Sequence, residues 1–166
     1  MQAKDMLLPE FDGEMRTTRR ALERIPENRL SWRPHEKSQT LGAIATHLVS
    51  LLQWTGPIIE RDELDVGTGP LPRAKEIESI AELLERFDRA VIETREKIAA
   101  LSDDTLTHPW TLRAGERTFF SQPKFLAVRT MIFSHHIHHR AQLGLYLRLN
   151  DVPVPQMFGP SADEPM

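Results

Sequence analysis

Met131 to Asn150 reads MIFSHHIHHRAQLGLYLRLN and places four histidines within five positions. Imidazole titrates near neutrality and is the commonest side-chain metal ligand, so this density points to metal chemistry. On a helix each residue turns by about 100°, so His135 and His139 stand one above the other and Gln142 and Tyr146 continue their stripe. Side chains at that spacing lie roughly 5–6 Å apart at Cβ. Two nitrogens on one tetrahedral zinc, each about 2.0–2.1 Å from it, lie roughly 3.3 Å from each other, a gap that converging imidazoles can close. The pairs His135/His138 and His136/His139 also satisfy helical spacing, and spacing alone leaves them open. An isolated pair is ordinarily a hydrogen-bonded or solvated cluster. A third ligand from elsewhere turns it into a metal site.

His47 is the candidate for that third ligand. It lies beside the apolar stripe Leu41, Ile44, Ala45, Leu48 and Leu52, one turn from Ile44 and Leu51 and two from Trp54, on a helix expected over 40–59 with Thr40 or Ser38 as N-cap. A lone histidine there is ordinarily a satisfied core residue. Facing His135 and His139 across a helix pair, it completes three nitrogen ligands with a fourth position open, which is the arrangement of a catalytic rather than a closed structural zinc. Nickel, cobalt and iron also accept imidazole.

Three further helices must position these residues. Leu8, Phe11, Met15, Leu22 and Ile25, with Thr18 in the gap, predict a helix over 5–25 that Pro26 stops. Ile77, Ile80, Leu84, Phe87, Val91, Ile98 and Leu101, with Thr94, predict one over 75–101. The histidine helix is expected over 123–150, with Pro123 acceptable in its first turn. Between the first two helices, Asn28 to Ser38 reads as a structured loop carrying Trp32 and His35; Trp32 suits a lid over the end of the core or a ligand contact. Glu60 to Ala74, with Gly67, Gly69, Pro70 and Pro72, reads as a linker between helices. Within 102–121 the runs Trp110-Leu112 and Arg117-Phe120, around Ala114-Gly115, are spaced for a small hairpin, the one piece of strand expected in an all-α four-helix bundle. Trp32, Trp54 and the Trp110 to Phe120 loop are expected to border the cavity mouth. The proline-rich end, Asp151 to Met166, should lie extended over the bundle.

Composition narrows the chemistry. The 166 residues suffice for a single domain, 1–166, with a sizeable core. There is no cysteine, which removes disulfides, thiolate metal sites and thiol nucleophiles together. A formal charge of −3 with mixed signs argues against nucleic-acid binding. Leu41 to Ile59 approaches the length of a membrane span, yet Thr46, His47, Ser50, Gln53 and Thr55 suit a buried helix better than a lipid-facing one. Met6-Leu7-Leu8 is cut short by Pro9, so no signal peptide is expected and the protein is read as cytoplasmic.

Three stretches carry a family resemblance: IPENRLSWRPHEKSQTLGAIATHL at Ile25 to Leu48, HHIHHRAQLGLYLR at His135 to Arg148, and the ending LNDVPVPQMFGPSADEP. With these the chain resembles the DinB-like or YfiT-like metal-binding four-helix bundles, most weakly from Glu60 to Ser121. The resemblance implies a divalent metal, zinc or nickel, on the positions matching the family's ligands, His47, His135 and His139. It also implies a homodimer. The family motif commonly reads HRGQ, where this chain has His139-Arg140-Ala141-Gln142. Characterised relatives include thiol-dependent transferases and an isomerase using low-molecular-weight thiols. The implied function is therefore a metal-dependent enzyme transferring a small thiol to an electrophile, or a related hydrolase; the alternative is a non-catalytic metal or small-ligand binding protein of a stress-related kind. Gln142 and Tyr146 are candidates to orient a ligand beside the metal.

Overall fold

The computed structural model describes residues 2–67 and 74–165. Its first helix, α1 (Ala3–Leu22), buries Leu7, Phe11, Met15, Thr18 and Leu22 on one side. The Gln2 N–H donates to the Asp5 carboxylate at 2.9 Å and fixes the helix start. The second helix divides where one continuous rod over 40–59 is expected. Thr40 caps α2 (Leu41–Leu52) by accepting from the Ala43 N–H at 3.0 Å, and a turn at Gln53-Trp54 leads into α3 (Thr55–Glu60). Pro57 explains the break: it has no N–H to give, and its ring crowds the carbonyl four residues back, that of Gln53. The next long helix, α4 (Ile80–Ala99), starts five residues later than the apolar period suggests, because Ser79 caps it by accepting from the Glu82 N–H at 3.1 Å. Ile77 is nevertheless buried, and its N–H donates to the Thr46 hydroxyl at 3.1 Å.

The expectation of an all-α chain is corrected by a three-stranded sheet. After a short helix α5 (Asp103–Thr107), capped by Ser102, β2 (Pro109–Ala114) and β3 (Arg117–Pro123) form an antiparallel hairpin, with a register shift between Leu112 and Arg113. The hairpin is longer than the sequence suggests and recruits β1 (Glu63–Asp65), which pairs in parallel with β2 through Glu63–Thr111 to Asp65–Arg113. Side chains fasten this short edge: the Asp65 carboxylate accepts from the Gly115 N–H at 3.1 Å and pairs with Arg113 at 2.9 Å. Alternation then sends Trp110 and Leu112 into the core. Of the expected linker, Gly69, Pro70 and Pro72 lie outside the described residues.

The last helix is composite: α6 (Lys124–Ala127), a π-helical stretch Val128–Ser134, and α7 (His135–Leu149). α1 and α2 each pack against both α4 and α7, enclosing one core that includes Phe11, Leu48, Phe87 and Leu143. The tail behaves as expected. Val152, Val154 and Met157 pack on the core, while Glu164 pairs with Arg20 and Arg24, and Asp163 with Arg148. Among the described residues no helix is long and apolar enough to cross a membrane.

Candidate metal centre

The π-helical stretch ends at Ser134, directly before the histidines. Its widened turn carries Ile132 and Phe133 side by side into the core and hands over to α7 with a buried face of His136, Arg140, Leu143 and Leu147. His135 and His139 are thereby half-buried in the groove between α7 and α2, opposite His47. One ligand atom from each of these three residues lies within 4.8 Å of the others. Ring centroids are 5.2 Å apart for His47 and His135, 4.5 Å for His47 and His139, and 4.8 Å for His135 and His139.

The donor set fits a divalent ion. Closing from 4.8 Å to the roughly 3.3 Å required on a tetrahedral zinc takes under about 1 Å of movement per ring. Each imidazole is also held neutral, the form that ligates. Burial, followed by the neighbouring rings of His139 and His135, pushes the pKa of His47 down to about 4. Burial likewise lowers that of His135, with His139 and His138 adding to it. For His139 burial lowers the pKa and the bond to Gln142 partly opposes it. That bond, 2.7 Å from His139 Nδ1 to Gln142 Oε1, also sets the tautomer. An amide oxygen only accepts, so Nδ1 carries the proton and the Nε2 lone pair is left for a ligand.

The other two histidines of α7 lie outside this cluster. His138 is exposed at the rim, edge-on to His139 with centroids 4.8 Å apart. His136 is fully buried on the far side, 6.3 Å from the Phe87 ring, and neither of its nitrogens has a partner among the described residues. Burial and the charge of Arg140 push its pKa down to about 3, so it sits in the core as a neutral ring. Arg140 is buried as well, paired with Glu14 at 2.6 Å and donating to the Glu14 carbonyl at 2.9 Å. This pair, which spans the chain from α1 to α7, is not legible in the sequence.

The remaining candidates divide. Tyr146 donates to the Gln39 carbonyl at 3.3 Å and meets Trp32 edge-on at 5.4 Å, so its hydroxyl anchors the 28–38 loop region to α7. Trp54 is half-buried against the core. Trp110 is fully buried, donates to the Pro57 carbonyl at 3.1 Å and stacks near Phe120, which corrects its expected place at a cavity mouth: alternation along β2 turns it inward. His35 is exposed. Ser50, which sequence reasoning passed over, lies with its hydroxyl 3.4 Å from His47 Nδ1; its i+3 position was the available signal.

A model of the DinB superfamily matches residues 10–143. No curated protein matches the chain. Among solved structures, a DinB-like protein from Bacillus cereus ATCC 10987 is 20% identical, with a TM-score of 0.68 over 95% of this chain and 98% of that one. The DinB-like protein YjoA from Bacillus subtilis is 15% identical, with a TM-score of 0.70 over 92% of this chain and 96% of its own. At these identities the likeness is one of fold.

Proposed function

The chain belongs to the DinB superfamily, and on that premise we propose that His47, His135 and His139 hold one divalent ion, zinc or nickel, in a metal-dependent enzyme that transfers a small thiol to an electrophile. The observation that carries this reading is the convergence of three neutral imidazoles from two helices, with no fourth side-chain ligand beside them among the described residues. When bound, the ion supplies Lewis acidity that brings the pKa of a thiol or water at its fourth position toward neutrality. Three neutral nitrogens leave the ion's charge undiminished, which favours that role over a closed structural site. Gln142 holds the His139 proton at Nδ1 and so leaves the Nε2 lone pair for the ion. Because the chain has no cysteine, the thiol comes from the substrate.

A second reading, a metal or small-ligand binding protein without turnover, draws on the lack, among the described residues, of any carboxylate in the cluster to serve as general base. Cobalt substitution separates the two. Under the enzyme reading a cognate low-molecular-weight thiol produces a sulfur-to-metal charge-transfer band at a pH well below its own pKa of about 8.5, and consumption of an electrophile follows and disappears in His47→Ala. If no thiol of a broad panel perturbs the cobalt spectrum, the binding role replaces the enzyme.

A further inference from the structure

The other flank of α2 borders a second polar space. A cavity of about 240 Å³ opens between α2 and α4, floored by the buried Thr46, Val49, Ile77 and Ala90, with Gln53, Arg89 and Glu93 exposed around it. Drug-sized sites run to roughly 300–1,000 Å³, so this one suits a ligand of amino-acid size. Its residues fall into spent and unspent polar groups. Thr46 already accepts from the Ile77 N–H at 3.1 Å, and Arg86 is held by Glu82 at 2.5 Å and by the Lys75 carbonyl at 3.3 Å. Arg89 and Glu93 both line the cavity, and neither makes an ion pair among the described residues. They stand one turn apart in the order base then acid, the less favourable orientation for pairing along a helix. Opposite them, α2 presents the Gln53 amide and the Ser50 hydroxyl, whose proton goes to the His47 carbonyl at 2.9 Å and whose oxygen, 3.4 Å from His47 Nδ1, has a second lone pair to accept with.

A guanidinium and a carboxylate left apart in one small cavity, faced by an accepting hydroxyl and an amide, match a molecule with both a carboxylate and an ammonium. We propose that the cavity between α2 and α4 binds a small zwitterion of the free α-amino-acid class, with its carboxylate on Arg89 and its ammonium between Glu93 and Ser50. A guanidinium fork suits a carboxylate in particular, since two parallel N–H bonds meet its two oxygens. The site meets the three histidines only through Ser50, which bonds the His47 carbonyl and lies 3.4 Å from His47 Nδ1, and it does not require an ion there.

The test is titration of the metal-free full chain with a panel of free L-amino acids, propionate and propylamine, read by amide chemical shifts in NMR. At least one amino acid should shift the amides around Ser50, Gln53, Arg89 and Glu93 saturably. Arg89→Ala should weaken that binding at least tenfold and abolish the response to propionate, while Glu93→Gln should weaken amino-acid binding severalfold and spare propionate. His135→Ala, on α7 and outside the lining of this cavity, should leave all three titrations unchanged, so failure of the metal reading and failure of this one are separable. The proposal is overturned if no amino acid moves those amides, if Arg89→Ala and Glu93→Gln bind as the parent does, or if His135→Ala removes the response as fully as Arg89→Ala.

Discussion

α7 carries the same residue type on two faces with opposite fates. His135 and His139 look into a half-open groove, keep a lone pair free and meet a third imidazole from α2. His136, one residue along, is sealed in the core beside Arg140 with neither nitrogen bonded among the described residues. Residue identity is constant across the comparison; burial and partners differ. A histidine that stays neutral and keeps access is available as a ligand, and one that stays neutral without access fills the core.

The sharpest way to break the comparison is to delete each member. Alanine at 47, 135 or 139 should cost at least about 100-fold in zinc or nickel affinity, whereas His138→Ala should change it by less than about threefold. Isothermal titration with the apo protein distinguishes these, and equal losses at all four positions would erase the distinction between the faces. The buried face should fail differently. Arg140→Ala leaves the Glu14 carboxylate buried without its partner, which typically costs about 3–5 kcal/mol; urea unfolding should show that loss while the folded fraction still binds metal.

Much of the groove-facing stripe was legible in the sequence, because a stripe at i, i+4, i+7 is a property of the helix itself: spacing puts His135, His139 and Gln142 on one face, though it leaves the other histidine pairs open, and it gives the buried stripe of α2. What spacing does not contain is any partner distant in the chain. The Glu14–Arg140 pair spans 126 residues, and only a folded core tells its arginine from the solvated one at 148. The sheet was hidden for a related reason. β1 is three residues, Glu-Leu-Asp, with no strand character of its own, and it exists through its pairing with β2 and the reach of Asp65 to Gly115 and Arg113. Local chemistry also overrode period twice, where Ser79 capped α4 late and where Pro57 broke the second helix.

A milder change sharpens the ligand face. Gln142→Ala frees the tautomer of His139 and should weaken metal affinity by about 10–100-fold, the usual cost of losing a group that orients a ligand, with thermal stability of the apo protein nearly unchanged. The smallest expected effect is that of pH near neutrality. Free imidazole titrates near 6.5, and the folded pKa of His47 lies lower, at about 4, with His135 and His139 also lowered. Protons compete with the metal only below those folded values, so occupancy should hold at pH 6.5 and fall as the solution is acidified beyond it, steeply because three sites protonate. Dialysis across that range followed by metal analysis checks the sign; loss already under way above pH 7 would mean the rings are not kept neutral as the geometry requires.

The central claim is a single three-histidine metal centre shared between α2 and α7. It is tested most directly by elemental analysis of the purified protein after reconstitution with zinc or nickel and removal of loosely held ions, alongside a variant with alanine at 47, 135 and 139 together. The account predicts one divalent ion per chain in the parent and less than about a tenth of an ion in the variant. Equal metal in the two proteins, or none in the parent, would contradict it.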